Sequence, residues 1–261
     1  MLRLPLVLVS TLMVHWLLAQ TAAPASSQAS ASSQYAAMRD AERDDPKLKL
    51  ADFAGLRYYA EDDLALGAPK PGDPPRVVFF GDSITHNWGG KAYSDLFQRK
   101  QNYINRGIGG QTTAQMLLRY RQDVLSLQPK VVVLLGGTND LSSATVPDVV
   151  VYIEQNIASI VELAQLHGER IILCSVTPVS DAIKPMTPTH DPTKILAVNA
   201  WLKAYAAAKH IAYVDYYNAV TDGHDRIQTE LTVDGLHPNK AGVARMEPLV
   251  EAAIAEELKA K

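Results

Sequence analysis

The 261 residues are 47% apolar and 20% charged, with a net charge of −3. That is enough apolar material for a sizeable core, and it leaves no broad basic field for nucleic-acid phosphate or anionic lipid. The single cysteine, Cys174, excludes an intrachain disulfide; it lies in an apolar run over 171–176, where a buried, inert thiol is expected.

In chain order, Arg3 precedes a mostly apolar stretch over 4–19, and Ala23-Pro24-Ala25 follows, the pattern of a secretory signal. The stretch is shorter than the roughly 20 apolar residues that span a bilayer and contains His15, so cleavage rather than stable membrane insertion is expected. No cysteine follows it, so no lipid anchor is expected there. Residues 1–25 therefore read as an export signal, and the protein as secreted or periplasmic. Residues 26–33 are Ser, Ala and Gln, too poor in apolar surface to offset their ordering entropy, and read as a disordered tether. Phe53, Leu56, Tyr59, Ala60 and Leu64 recur at helical spacing, which predicts a short packed helix within 50–66. Pro69, Pro71, Pro74 and Pro75 then break regular structure. The tether and N-terminal extension thus span 26–75, and the main domain 76–261.

Within that domain, β-branched and apolar runs predict strands at 77–80, 103–105, 131–135, 171–176 and 211–215. Helical periodicity falls between and after them, at 92–98, 114–127, 149–166, 195–208 and 241–258. Alternation of this kind calls for a five-stranded parallel sheet with helices on both faces, a flavodoxin-like three-layer α/β/α sandwich. Ligands of such sheets bind beyond the carboxyl ends of the strands.

Four segments carry chemistry, and each follows a strand or precedes the last helix. Gly81-Asp82-Ser83-Ile84 ends the first strand, where a glycine permits a tight turn and Ser83 can present a nucleophilic hydroxyl. Thr85 rather than glycine follows two positions on, so this is not the G-x-S-x-G elbow, and on its own the motif also describes an ordinary turn. After the second strand, residues 105–112 form a glycine-rich entry to a helix, whose free N–H groups suit an anion, a developing oxyanion included. After the third come Gly136-Gly137-Thr138-Asn139-Asp140, in which the Asn139 amide can polarise a carbonyl or merely cap a turn. Asp234-Gly235-Leu236-His237-Pro238 sets a carboxylate three residues before an imidazole, close enough to hold Nδ1–H and leave Nε2 as a base. A two-ligand metal site is the rival reading of that pair, without a further His or Cys nearby at ligand spacing.

His86, three residues from Ser83, and Asp215 read as local structure. His190 and Asp191 read as pocket rim, and His167, His210 and His224 as solvent-side or turn residues. Trp88 is placed either in the core or against the pocket.

Taken together the four segments resemble the sequence blocks of the SGNH hydrolases, or GDSL-like esterases and lipases, from residue 76 to the end. Within that family they are most similar to the α subunits of platelet-activating-factor acetylhydrolase and to bacterial acetylesterases. The resemblance implies Ser83 as nucleophile, His237 as base oriented by Asp234, and an oxyanion hole formed by the N–H groups of Ser83 and Gly110 with the Asn139 amide. Ile84 stands where many members have leucine, an exchange without catalytic consequence. It further implies acyl transfer to water with no metal or organic cofactor. The substrate is then a small-molecule or polysaccharide ester, with a carbohydrate O-acetyl group favoured. A lysophospholipase or lipid esterase, a cell-envelope sugar O-acetyltransferase and an inactive carbohydrate-binding module are the alternatives.

Overall fold

The computed structural model describes residues 46–143 and 145–259; the expected export signal and Ser/Ala/Gln tether lie outside them. The N-terminal extension begins with α1 (Pro46–Ala51) and α2 (Ala60–Leu66). The domain continues through β1 (Val77–Gly81), α3 (Ser83–Trp88), α4 (Leu96–Arg99), β2 (Tyr103–Gly107) and α5 (Thr113–Asp123). Next come β3 (Val131–Leu135), α6 (Thr138–Ser143), α7 (Val149–Leu166) and β4 (Arg170–Cys174). It closes with α8 (Pro192–Lys209), β5 (Ala212–Val214), α9 (Tyr216–Val220) and α10 (Lys240–Lys259).

All five strands are parallel, in the order β2-β1-β3-β4-β5, so the expected flavodoxin-like α/β/α sandwich is present. The strands alternate their side chains between two cores, as the two-residue strand period requires. Val78, Phe80, Val132, Leu134, Ile171 and Leu173 face α5, α7 and α8. Val77, Phe79, Val131, Val133 and Ile172 face the other layer, with Trp88, Met246, Val250 and Ile254. Each such side chain taken out of water contributes roughly 1.5–3 kcal/mol. Helix α7 is long and apolar enough to cross a membrane, but its Ile153, Ile157 and Ile160 stripe is buried in the first core.

The extension departs from expectation. No single helix spans 50–66: Gly55 turns the chain at φ +70°, and the Asp52 carboxylate accepts from the N–H groups of Leu56 and Arg57. Leu56 and Phe53 are exposed, and Leu64 is 82% exposed, so the helical spacing did not mark a packed face. Side chains of the extension nevertheless bond to the domain across the proline-rich stretch before Arg76. Tyr59 Oη donates to the Gly107 carbonyl at 2.5 Å, and Arg106 binds the Asp63 carboxylate at 2.6 Å with both side chains buried. These bonds fasten the extension to the carboxyl end of β2, where the glycine-rich loop begins.

Candidate active site

β1 ends at Gly81, where any side chain would collide with the Thr85 hydroxyl and the Leu135 carbonyl of β3. The chain can therefore turn directly into α3, and Ser83 becomes that helix's first residue. Its N–H is among those for which a helix start supplies no acceptor. Asp82 caps the turn by accepting from Ile84 N–H at 2.9 Å. Its Oδ2 is buried without a hydrogen-bond partner. Burial pushes this carboxyl up to about 6, against the opposing pull of the Ile84 bond and of His237.

Ser83 Oγ lies 2.9 Å from His237 Nε2, and His237 Nδ1 lies 2.9 Å from Asp234 Oδ2. The structure thus brings the three residues, up to 154 positions apart, into one hydrogen-bonded line. With Nδ1 protonated toward the carboxylate, Nε2 is left to accept the Ser83 proton. Asp234 Oδ1 fixes its own turn by accepting from the N–H groups of Leu236 and His237, at 3.0 and 2.9 Å. Burial raises the Asp234 pKa, but the His237 N–H and ring, Lys184 and Leu236 N–H together hold it well below the usual carboxylate range. The acid is therefore ionised at any pH at which the imidazole serves as a base.

In the glycine loop after β2, Gly110 adopts φ +79° with open space where a side chain would stand. Asn139, on α6, donates through Nδ2 to the Gln111 carbonyl at 3.0 Å. An amide NH2 has two hydrogens, so this bond anchors Asn139 to the glycine loop and leaves one for a ligand. The loop is held from beneath by groups that sequence reasoning passed over. Gln111 accepts from the Arg119 guanidinium and donates to the Ala54 carbonyl of the extension at 2.8 Å. Fully buried Arg119 also donates to the carbonyls of Gly81 and Arg106, at 2.9 Å each, and to Asp123 at 3.0 Å. Asp140 accepts from Thr113 N–H and Oγ1, tying α6 to the start of α5. The signal for Arg119 was present: it shares a helical face with Met116, Tyr120 and Asp123, so a charge fell on a core-facing stripe.

The remaining residues take structural places. His86 Nδ1 faces the Gly107 carbonyl at 3.2 Å, and Asp215 caps α9 through Asn218 N–H. Asp191 caps α8 rather than lining a rim, and His190 is buried, its pKa lowered by burial first, with the nearby His237 adding to the effect. Trp88 is in the core, edge-on to Phe79 and 3.3 Å from Glu247 Oε2. Cys174 is buried, and burial pushes its thiol up to about 12. Among the described residues no three His, Cys, Asp or Glu side chains gather to hold a metal ion. A polar cleft of about 660 Å³, lined in part by Ser180, Asp181, Arg226 and Glu230, adjoins the loop after β4 but does not include the Ser83–His237–Asp234 line.

A parallel α/β/α sheet with a Ser-His-Asp line at its strand ends is the layout of a serine hydrolase built without the G-x-S-x-G elbow. The chain belongs to the GDSL-like lipase/acylhydrolase family, whose model matches residues 79–245, as the four motifs indicated. A GDSL-like lipase from Bacteroides thetaiotaomicron is 40% identical, with a TM-score of 0.72 over 78% of this chain and 98% of that one. The acetyl xylan esterase AlAXEase is 26% identical, with a TM-score of 0.58 over 69% of this chain and 99% of its own. The uncharacterized lipoprotein YqeF of Bacillus subtilis (strain 168) is 33% identical over 118 residues, 40% of this chain. The chain spans about half the length of that curated relative, 49% of it.

Proposed function

We propose that the chain is an exported serine esterase that releases short acyl groups, acetyl foremost, from carboxyl esters on carbohydrate. The observation that carries the reading is the 2.9 Å approach of Ser83 Oγ to an imidazole whose other nitrogen is held by an ionised carboxylate. His237 Nε2 takes the Ser83 proton as Oγ attacks the ester carbon. The oxyanion is met by the N–H groups of Ser83 and Gly110 and by the Asn139 amide, donors worth most while charge develops. His237 then gives its proton to the departing alcohol, and the acyl group remains on Ser83. Water, deprotonated by His237, attacks this ester and restores the serine. Asp234 stabilises the imidazolium at both steps without taking a proton. No step calls for a metal or organic cofactor.

The acetyl and carbohydrate assignments are supported by the likeness to AlAXEase, an acetyl xylan esterase. Export is supported by the Arg3 and 4–19 pattern, with 1–25 as the signal, and by likeness to a lipoprotein. The reading is tested by turnover of p-nitrophenyl esters from acetyl to palmitoyl beside acetylated xylan. The expected result is a kcat/KM maximum at acetyl, with acetate released from xylan. A maximum at palmitoyl would replace it with a lipid esterase. Preferential transfer to an added sugar over water would replace it with an acetyltransferase, and inertness toward every ester with a binding module.

A further inference from the structure

The loop after β4 is built onto the turn that carries the acid and base. Ser180 N–H donates to the Gly235 carbonyl at 2.8 Å. Gly235 holds φ +95°, and a side chain there would run into the Ser180 carbonyl oxygen. Behind this seam Met186 and His190 are buried. From the exposed part of the same loop Lys184 Nζ reaches Asp234 Oδ2 at 3.0 Å. That is the oxygen bound by His237 Nδ1 at 2.9 Å, so one carboxylate oxygen serves an ammonium and an imidazole together.

We propose that Lys184 is a positioning residue that pins the Asp234 carboxylate and, by sharing Oδ2 with the ring, extends the working range of the His237 base toward acid pH. The inference rests on the proposed triad. An ammonium held within a few ångströms of the ring repels its protonated form, and it occupies part of the carboxylate that would otherwise stabilise that form. The other groups that face or act on His237 are the Ser83 hydroxyl and the Asp82 carboxyl at the mouth of β1, His190 at the far end of the loop, and Asp234 on its own turn. All four remain when Lys184 is changed, so a difference between variant and parent isolates the ammonium. Lys184 is 54% exposed, so the pair adds little to stability but acts at the point where the proton moves.

The test is the pH dependence of kcat/KM toward p-nitrophenyl acetate for the full chain, its Lys184→Met variant and its Lys184→Arg variant. Lys184→Met should move the acid limb up by about half a pH unit, a roughly threefold loss on the acid side, with an unchanged melting temperature. Lys184→Arg, which keeps the charge, should stay with the parent. In about 1 M NaCl the parent and Lys184→Met limbs should draw together, because an exposed charge is screened. Coincident limbs at low salt, or a gap that survives high salt undiminished, would overturn the proposal. His237→Ala separates the two levels. Full turnover in it removes the triad itself, whereas an inert His237→Ala with coincident Lys184→Met and parent limbs removes only the role of Lys184.

Discussion

Ser83 stands above a dry, charged foundation, in which Arg119, with no exposed surface, bonds the ends of β1 and β2, Asp123 and the side chain of Gln111. Asp234 instead hangs from a surface turn whose outer partner, Lys184, is 54% exposed. Both ends contain an arginine or lysine paired with an aspartate, yet the two pairs have different consequences. Breaking a buried pair strands a charge and several carbonyls away from water, whereas breaking an exposed one lets water replace the partner. The Ser83 end, with the proposed nucleophile and oxyanion donors, is therefore committed to fixed geometry. The Asp234 end, with the proposed acid and base, is where a partner can be exchanged without loss of the fold.

The largest expected contrast is in stability. Arg119→Met should cost about 3–5 kcal/mol, because Asp123 and the Gly81 and Arg106 carbonyls lose their shared donor. Lys184→Met should cost less than about 1 kcal/mol. Urea denaturation of the two variants measures both, and equal losses would erase the distinction between the ends.

Next in size is Asn139→Ala, which removes one of the proposed oxyanion donors while those of Ser83 and Gly110 stay. kcat should fall by roughly a hundredfold to a thousandfold with KM little changed. Loss of the Asn139 bond to Gln111 makes some destabilisation unavoidable, so kinetics and melting are read on the same sample. A less stable variant with intact kcat would leave Asn139 a loop anchor only.

The smallest effect sharpens the view of the buried layer through Glu169, which Tyr120 Oη contacts at 2.7 Å. Burial pushes this carboxyl from its ordinary value near 4.5 to about 7, against the pull of the Tyr120 bond. A raised carboxyl pKa means that the folded state holds the proton more tightly, so its stabilisation is complete at low pH. It is lost as pH rises from about 4.5 through about 7. Glu169→Gln, which cannot ionise, should flatten that decline by on the order of 1 kcal/mol between pH 5 and 8. Identical pH dependence in parent and variant would show that Glu169 does not titrate in this range.

The sheet was legible because four of its five strands are short, mainly apolar runs bounded by turn residues, and the 149–166 periodicity matches α7 end to end. Helix α3 was not legible: Ser-Ile-Thr-His-Asn-Trp is poor in strong helix formers, and the helix begins on Ser83, the proposed nucleophile. The extension misled because apolar spacing says nothing of a glycine at positive φ, and the Asp52 and Gly55 turn divides the segment. In the site, Ser83, His237 and Asp234 were visible as motifs, and Asn139 as an amide after a strand. Lys184 was invisible, because its only signal is a contact across 50 residues between two surface loops.

The central claim is that Ser83 carries the acyl group. Its most direct test is to incubate the active protein with a serine-reactive organophosphate and map the modified residue by peptide mass. One adduct per chain, on Ser83, with activity lost in step and no labelling of Ser83→Ala, is the expected result. An adduct on another serine that tracks the loss of activity, or full activity with Ser83 modified, would contradict it.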